Sequence, residues 1–152
     1  MAVSAYAPQP ASPAFAGHRV VVGFDGSVLA HHAVDYVTGR AAPEDTVVIV
    51  YAYGAAPDAS EHRRSIAQAV LDTAVSPTGP PQRATLVLEL RADAAPAALM
   101  NAAGEHEADY IVVGAAGAGS LDTGLGSVAR EVLRSSDRPV LVLPRELREA
   151  LV

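Results

Sequence analysis

Five short apolar stretches recur along the chain, and each is rich in β-branched or aromatic residues. They are RVVVGF (19–24), TVVIVYAY (46–53), ATLVLELR (84–91), YIVVG (110–114) and PVLVLP (139–144). Runs of this length and composition, separated by turn-forming residues, predict β-strands. The run 84–91 is described separately below. Of the other four runs, three are apolar on both faces, which indicates strands that helices cover on each side.

The stretch 84–91 differs from the others because its apolar and polar positions alternate. Leu86, Leu88 and Leu90 fall on one face, and Thr85 and Glu89 fall on the other. Such alternation is typical of a strand with one less covered face. We therefore expect this strand to lie near an edge of the sheet.

Helical periodicity occupies the first two segments between the predicted strands. Ser27 is a predicted N-cap, because its hydroxyl can accept from a free amide of the first turn. The segment 60–75 shows the i, i+3, i+4, i+7 spacing of an amphipathic helix. The predicted apolar faces are Ala30, Ala33, Val34 and Val37 in the first helix, and Ile66, Ala69, Val70 and Thr73 in the second.

Two further helices are predicted after the third and fourth strands. Asp93 is the expected cap of AAPAALMNAAGEH, in which Pro96 falls within the first turn. Ser127 opens SVAREVLRSS, and its predicted apolar stripe is Val128, Val132 and Leu133. Strands and helices thus alternate through the chain. This order predicts an α/β domain with a mainly parallel, doubly wound sheet.

The two ends of the chain differ from the segment between them. Residues 1–17 are uncharged and rich in Ala and Pro, which indicates an arm or a disordered tail. This opening lacks a basic region and a continuous apolar core, so it is a poor signal peptide. We therefore expect a folded domain at 18–144, a short tail at 145–152 and a cytoplasmic protein.

Composition and charge exclude several classes of function. The net charge is −6, and all eleven basic residues are arginines spread along the chain. This disfavours a nucleic-acid-binding surface, and the absence of lysine excludes the P-loop signature. The absence of cysteine excludes disulfides and thiolate metal sites. No apolar run approaches the roughly 18 residues of a membrane-spanning helix, so we expect no membrane partner.

Chemistry-bearing residues follow the first and fourth predicted strands. Asp25 lies in GFDGS (23–27), and the glycine-rich GAAGAG (114–119) follows the fourth strand. Gly126 and Ser127 lie where the last helix begins, so free amides and the helix dipole point at that place. If the two strands are neighbours, the crevice between them holds a carboxylate opposite an anion site. This set of groups fits a nucleotide.

The sequence resembles the universal stress protein family over residues 18–144. The likeness rests on VVVGFDGS, ADYIVVGAAG, GSVAREVL and RPVLVLP. It implies a five-stranded parallel sheet of order 3-2-1-4-5 with helices on both faces. It also implies ATP binding, with Asp25 near the ribose and phosphates and Ala52 near the adenine. The site residues implied are Gly23, Phe24, Asp25, Ala52, Gly114, Gly117, Gly126, Ser127 and Val128.

The glycine loop departs from the family in its length. Nucleotide-binding members carry Gly, two residues, Gly, nine residues, then Gly followed by Ser or Thr. Here Gly114, Gly117 and Gly126 with Ser127 match, but only the eight residues 118–125 separate the second and third glycines. The first hypothesis is an ATP-binding regulator that uses Mg²⁺, with cyclic AMP as a variant ligand. The alternative is a nucleotide-independent dimeric interaction protein of the same fold.

An enzyme of similar architecture is the third hypothesis. An adenylating or ATP-cleaving enzyme would need a different loop after the first strand from GFDGSV (23–28). Nothing in the glycine loop is an obvious base for activating water, so we expect at most slow ATP hydrolysis. The histidines are scattered or adjacent, and we expect them on the surface rather than at a metal site.

The last predicted strand points to a partner. In the implied order PVLVLP (139–144) is an edge strand, yet it is apolar throughout. An exposed apolar edge promotes aggregation unless it is paired or covered. Pairing with the same strand of a second chain satisfies it by two-fold symmetry. The resemblance implies the same homodimer.

Overall fold

The computed structural model describes residues 17–54, 61–76, 83–116 and 124–145. The strands are β1 (Arg19–Gly23), β2 (Thr46–Ala52), β3 (Thr85–Arg91), β4 (Tyr110–Gly114) and β5 (Val140–Leu143). The helices are α1 (Val28–Thr38), α2 (Glu61–Asp72), α3 (Ala95–Glu105) and α4 (Ser127–Ser135). All the strand pairs are parallel, and the order is β3-β2-β1-β4-β5. The α/β fold and strand order expected from the sequence are confirmed.

The sheet separates two apolar cores. On one face Val22 of β1 packs with Val34 of α1 and Leu71 of α2. On the other face Val21 packs with Leu99 of α3 and Val132 of α4. Because successive residues of a strand point to opposite faces, the continuous apolar run of β1 serves both cores. Helices therefore cover both faces, as the double apolar pattern predicted.

The inner strands are buried and the two outer strands are not. Val20–Val22 of β1 and Val47–Val50 of β2 are each 1% exposed or less. β3 occupies one edge of the sheet, as its alternating pattern predicted, and Leu88 remains 39% exposed. β5 occupies the other edge, with Leu143 as its one buried residue.

Ser27 caps α1, and the prediction for this helix is confirmed. Its hydroxyl oxygen accepts from the Ala30 amide at 3.1 Å, and the predicted apolar face is buried. The face predicted for α2 is right at Val70, which packs against the core, and wrong at Ile66 and Ala69, which are exposed. Ile66 is 51% exposed, whereas Ala67 and Leu71 face the sheet. Adjacent residues of a helix are about 100° apart around its axis, so the buried face of α2 is offset by that angle from the predicted one. As a result Leu71 is buried in the core, and the small Ala67 allows the helix to approach the sheet closely.

The start of α3 also differs from the prediction. Its N-cap is Ala94 rather than Asp93, and no side chain caps it. Pro96 is the second residue of the helix and has no amide hydrogen, so a capping carboxylate would lack one of its usual donors. In α4 the N-cap is Gly126, and Ser127 is the first helical residue.

The apolar stripe of α4 differs from the prediction at one residue. Val132 is buried and Val128 packs against the same core, as predicted, but Leu133 is 46% exposed and Ala129 is buried in its place. The helix contacts the sheet through its smaller side chains, which allows α4 to pack beside α3. Within the described ranges, no helix is long and apolar enough to cross a membrane.

A buried carboxylate ties three segments together at the amino end of the sheet. Asp45 is 1% exposed, and its two oxygens accept from the amides of His18 and Ala42 at 2.9 Å each. Its main-chain carbonyl accepts from Thr85 at 3.0 Å. One residue thus aligns the starts of β1, β2 and β3.

Candidate functional site

A cavity of about 540 Å³ opens at the carboxyl ends of β1, β2 and β4. It lies where the chain crosses from one face of the sheet to the other, which is the usual ligand position in doubly wound folds. Of the nine residues predicted from the sequence, Gly117 lies outside the described residues. The other eight line the cavity: Gly23, Phe24, Asp25, Ala52, Gly114, Gly126, Ser127 and Val128.

The turn after β1 holds Asp25 at the cavity. One carboxylate oxygen accepts from the Ser27 amide at 2.9 Å, so Asp25 also supports the start of α1. Gly26 between them has φ +80°, and a Cβ there would lie 2.7 Å from Val70 of α2. This close approach requires glycine, because any side chain would strain the backbone and clash.

The floor of the cavity is closely packed at its two glycines. A Cβ on Gly114 would lie 3.0 Å from the Leu29 side chain. A Cβ on Gly23 would lie 3.1 Å from Leu99. The absence of side chains keeps the main chain of β1 and β4 open to the cavity.

The amino end of α4 presents free amides to the cavity. The Gly126 amide donates to the Ala115 carbonyl at 2.6 Å, which joins the two ends of the glycine loop. The first bond within the helix runs from the Arg130 amide to the Gly126 carbonyl. Among the described residues no side chain caps the helix, so the amides of residues 127–129 keep their donors for another acceptor. All three residues line the cavity, and free amides at a helix amino end are groups that an anion can bind.

Ala52 turns its main chain toward the cavity. Successive peptide groups of a strand point to opposite sides. The Tyr53 amide bonds to the Arg91 carbonyl of β3, whereas the Val50 carbonyl accepts from Phe24 on the β1 side. Ala52 shares the direction of Val50, and β1 has already ended at Gly23. The amide and carbonyl of Ala52 therefore face the cavity as a neighbouring donor and acceptor.

The cavity lining carries little charge. Among the described lining residues, Asp25 carries the one carboxylate, and none is an arginine or a histidine. Within the same part of the chain, no group of three or more His, Asp or Glu side chains is placed to hold a metal ion. A divalent cation here would therefore need the oxygen atoms of a bound ligand in addition to Asp25.

A network of charged side chains lies beside the β2 end of the cavity. Arg91, the register partner of Ala52, contacts Glu89 at 2.9 Å and Glu105 at 2.6 Å. His106 also hydrogen-bonds to Glu89. Burial acts to raise the pKa of Glu89, but hydrogen bonds from His106 and Arg91 outweigh it and the pKa is lowered. These charges satisfy one another and fix the end of α3 to β3.

Two histidines have more specific contacts than the sequence indicated. His106 belongs to the network on Glu89, and His31 packs edge-on against Phe24 with 4.9 Å between ring centroids. The ring nitrogens of His31 lie 2.9 Å from the Ser27 carbonyl and 3.2 Å from the Thr73 hydroxyl. His31 thereby supports the cavity wall from behind.

Comparisons with known proteins agree with this architecture. A profile of the universal stress protein family matches residues 17–144. No curated protein matches the sequence significantly. A universal stress protein solved in complex with cAMP is 29% identical with a TM-score of 0.58, and the match covers 84% of this chain and 96% of that one.

Two further solved structures share the fold at lower identity. The universal stress protein from Archaeoglobus fulgidus in complex with dAMP is 24% identical with a TM-score of 0.63, covering 82% of this chain and 96% of that chain. UspA from Lactobacillus plantarum is 18% identical with a TM-score of 0.65, covering 84% and 98%. Because the family profile spans most of its length, the chain belongs to the universal stress protein family.

Proposed function

We propose that the chain binds ATP with Mg²⁺ in this cavity and acts as a dimeric regulator through nucleotide occupancy. The observation that carries the proposal is the pairing of two main-chain sites in one cavity. The free amides of residues 127–129 suit phosphate, and the exposed peptide groups of Ala52 suit a base. Asp25 lies between them, where a ribose hydroxyl or a phosphate-bound cation would contact it.

The donor and acceptor of Ala52 favour adenine over guanine. Adenine offers the N1 acceptor beside the N6 amino donor, which complements an amide next to a carbonyl. Guanine offers the reverse pattern on the same edge, with a donor at N1 and an acceptor at O6. The Ala52 amide would then face a donor, and the Ala52 carbonyl would face an acceptor. Ala95 and Leu99 supply the apolar surface against which a base would lie.

Relatives support an adenine nucleotide as the ligand. The universal stress protein that is 29% identical was solved in complex with cAMP. Cyclic AMP offers the same base and a single phosphate, so it stays the variant ligand for this chain. We expect occupancy to change the surface around residues 115–126 that partners contact. We expect little hydrolysis, because the sequence places no obvious general base beside the phosphates.

The dimer part of the proposal rests on β5. The Pro139 carbonyl accepts from the Ile111 amide of β4, and the Leu143 carbonyl accepts from the Ala115 amide just after β4, so the peptide groups of Val140 and Val142 point away from the sheet. An apolar edge with outward amides and carbonyls is suited to pairing with the same strand of a second chain.

The test is a calorimetric titration of nucleotide-free protein with Mg²⁺-ATP, cyclic AMP and adenosine. Ser127→Asp places a carboxylate at the first position of α4, where the helix dipole favours it by about 0.3–1 kcal/mol. The fold is therefore retained while the phosphates are repelled. Two unit charges about 4 Å apart interact by roughly 1–4 kcal/mol at effective dielectric constants of about 80 to 20.

Ser127→Asn is the matched control, because it has the same shape without the charge. We expect Ser127→Asp to weaken ATP binding about tenfold or more and to leave adenosine binding unchanged. We expect Ser127→Asn to bind ATP within about threefold of the wild type. Equal ATP affinities of the Asp and Asn variants would refute a phosphate site at α4.

The second candidate function is a nucleotide-independent dimeric interaction protein. The observation that favours it is the loop length, with eight residues between the second and third motif glycines instead of nine. Heats indistinguishable from dilution for every nucleotide, with the dimer intact, would favour this candidate.

A further inference from the structure

We infer that Arg130, which lies outside the cavity lining, positions the phosphate-binding amides of α4. The inference rests on the proposed nucleotide site. The Arg130 guanidinium donates to the Leu125 carbonyl at 2.9 Å, and its amide donates to the Gly126 carbonyl at 3.0 Å. One residue thus holds two consecutive carbonyls immediately before the free amides of residues 127–129.

The turn held by Arg130 is also anchored from the other side. The Gly126 amide donates to the Ala115 carbonyl, and the Ala115 amide donates to the Leu143 carbonyl of β5 at 2.8 Å. The direction of the first α4 amides is therefore fixed by bonds to β5 through Ala115 and to the helix through Arg130. Loss of the guanidinium would leave the Leu125 carbonyl unanchored and allow the turn to rotate.

The charge of Arg130 contradicts the local preference of a helix. A cation near the amino end opposes the helix dipole, and the first turn of α4 carries no acidic residue. Glu131, the nearest carboxylate in sequence, contacts Arg134 and Ser135 instead. No ion pair to Arg130 occurs among the described residues. An anionic ligand at the amino end of α4 would offset the charge of Arg130.

The test compares Arg130→Gln with Arg134→Gln, which removes the same charge from the far end of the same helix. Arg134 is 76% exposed and contacts Glu131 at 2.6 Å. Two quantities are measured for each variant: the affinities for Mg²⁺-ATP and adenosine, and the hydrogen exchange rate of the Gly126 amide without ligand. Arg130→Lys is added because it keeps the charge but lacks the planar fork.

We expect Arg130→Gln to bind ATP about fivefold more weakly, with adenosine affinity unchanged. We also expect its Gly126 amide to exchange at least about threefold faster. Arg134→Gln should match the wild type in every measurement, and Arg130→Lys should fall between. Equal ATP affinities of the two glutamine variants, or equal Gly126 exchange rates, would overturn the inference.

The design separates this inference from the proposed function. Wild-type protein that binds no nucleotide would overturn the proposed function and, with it, the role of Arg130 in phosphate binding. Binding by the wild type with no difference between the two glutamine variants would overturn the role of Arg130 alone.

Discussion

Replacing Asp45 by Asn tests whether the buried carboxylate aligns the amino end of the sheet. Asp45 uses both oxygens, one for the His18 amide and one for the Ala42 amide, at 2.9 Å each. Asn keeps one acceptor oxygen and replaces the other by an NH₂ group. One buried amide would therefore face a donor instead of an acceptor.

The expected cost follows from that single mismatch. A hydrogen bond to a charged group contributes about 1.5–3 kcal/mol, and a stranded buried donor costs about 1–3 kcal/mol. These figures describe overlapping losses, so we expect Asp45→Asn to lower the free energy of unfolding by about 2–3 kcal/mol. For a domain of this size about 1 kcal/mol corresponds to roughly 4 °C in Tm, which gives a decrease of about 10 °C.

The assay is urea unfolding followed by circular dichroism, with Asp35→Asn as the matched control. Asp35 lies on the exposed face of α1, so the same chemical change should cost less than about 0.5 kcal/mol. Asp45→Ala strands both amides and should be less stable than Asp45→Asn. If Asp45→Asn were as stable as Asp35→Asn, the alignment role of the carboxylate would be wrong.

Three further predictions concern the charge network, the Asp25 turn and the sheet edge. The pKa of Glu89 is lowered from its ordinary 4.5, so its ion pairs stabilise the fold above that pH and the contribution is lost as the pH falls below it. Unfolding curves should show the wild type more stable than Glu89→Gln at pH 6, with the difference shrinking below pH about 4.5; a constant difference would contradict this. Gly26→Ala should be about 1 kcal/mol less stable than Gly54→Ala. Both glycines have positive φ, but within the described part of the chain a Cβ at Gly54 would meet nothing, whereas a Cβ at Gly26 would meet Val70; equal melting temperatures would refute the steric argument. Val142→Pro removes an outward amide of β5 and should give monomers in sedimentation experiments. The control Val142→Ala keeps that amide and should remain dimeric. A dimeric Val142→Pro variant would place the interface elsewhere.

The strands were predictable from the sequence and the helix faces were less so. Each strand begins or ends within one residue of its predicted range, because runs of buried β-branched residues have few other conformations. The face of α2 was ambiguous, since Ile66 and Ala67 are neighbours and each begins a plausible apolar stripe. The strand order came from the family resemblance, because periodicity within a strand carries no information about its neighbours.

The candidate site was predictable where glycine and charge mark it. Eight predicted residues line one cavity, because the carboxyl ends of adjacent parallel strands meet at one edge. Asp45 and Arg130 could not be found in the same way. Both act on main-chain groups whose position depends on the folded chain, and neither belongs to a recognisable motif.

Recognition through the main chain, as proposed, would explain why these residues are small or unremarkable. In the proposed site the groups offered to a ligand are the peptide atoms of Ala52 and the amides of residues 127–129, and every residue type except proline supplies an amide. Apart from Asp25 and the apolar side chains that would contact the base, the lining side chains make no proposed contact to the nucleotide, whereas added bulk at Gly114 or added charge at Ser127 would weaken binding. Such a site limits the size and the charge of the residues that line the cavity. In the proposal, the geometry of the cavity is maintained by residues outside it, such as Arg130.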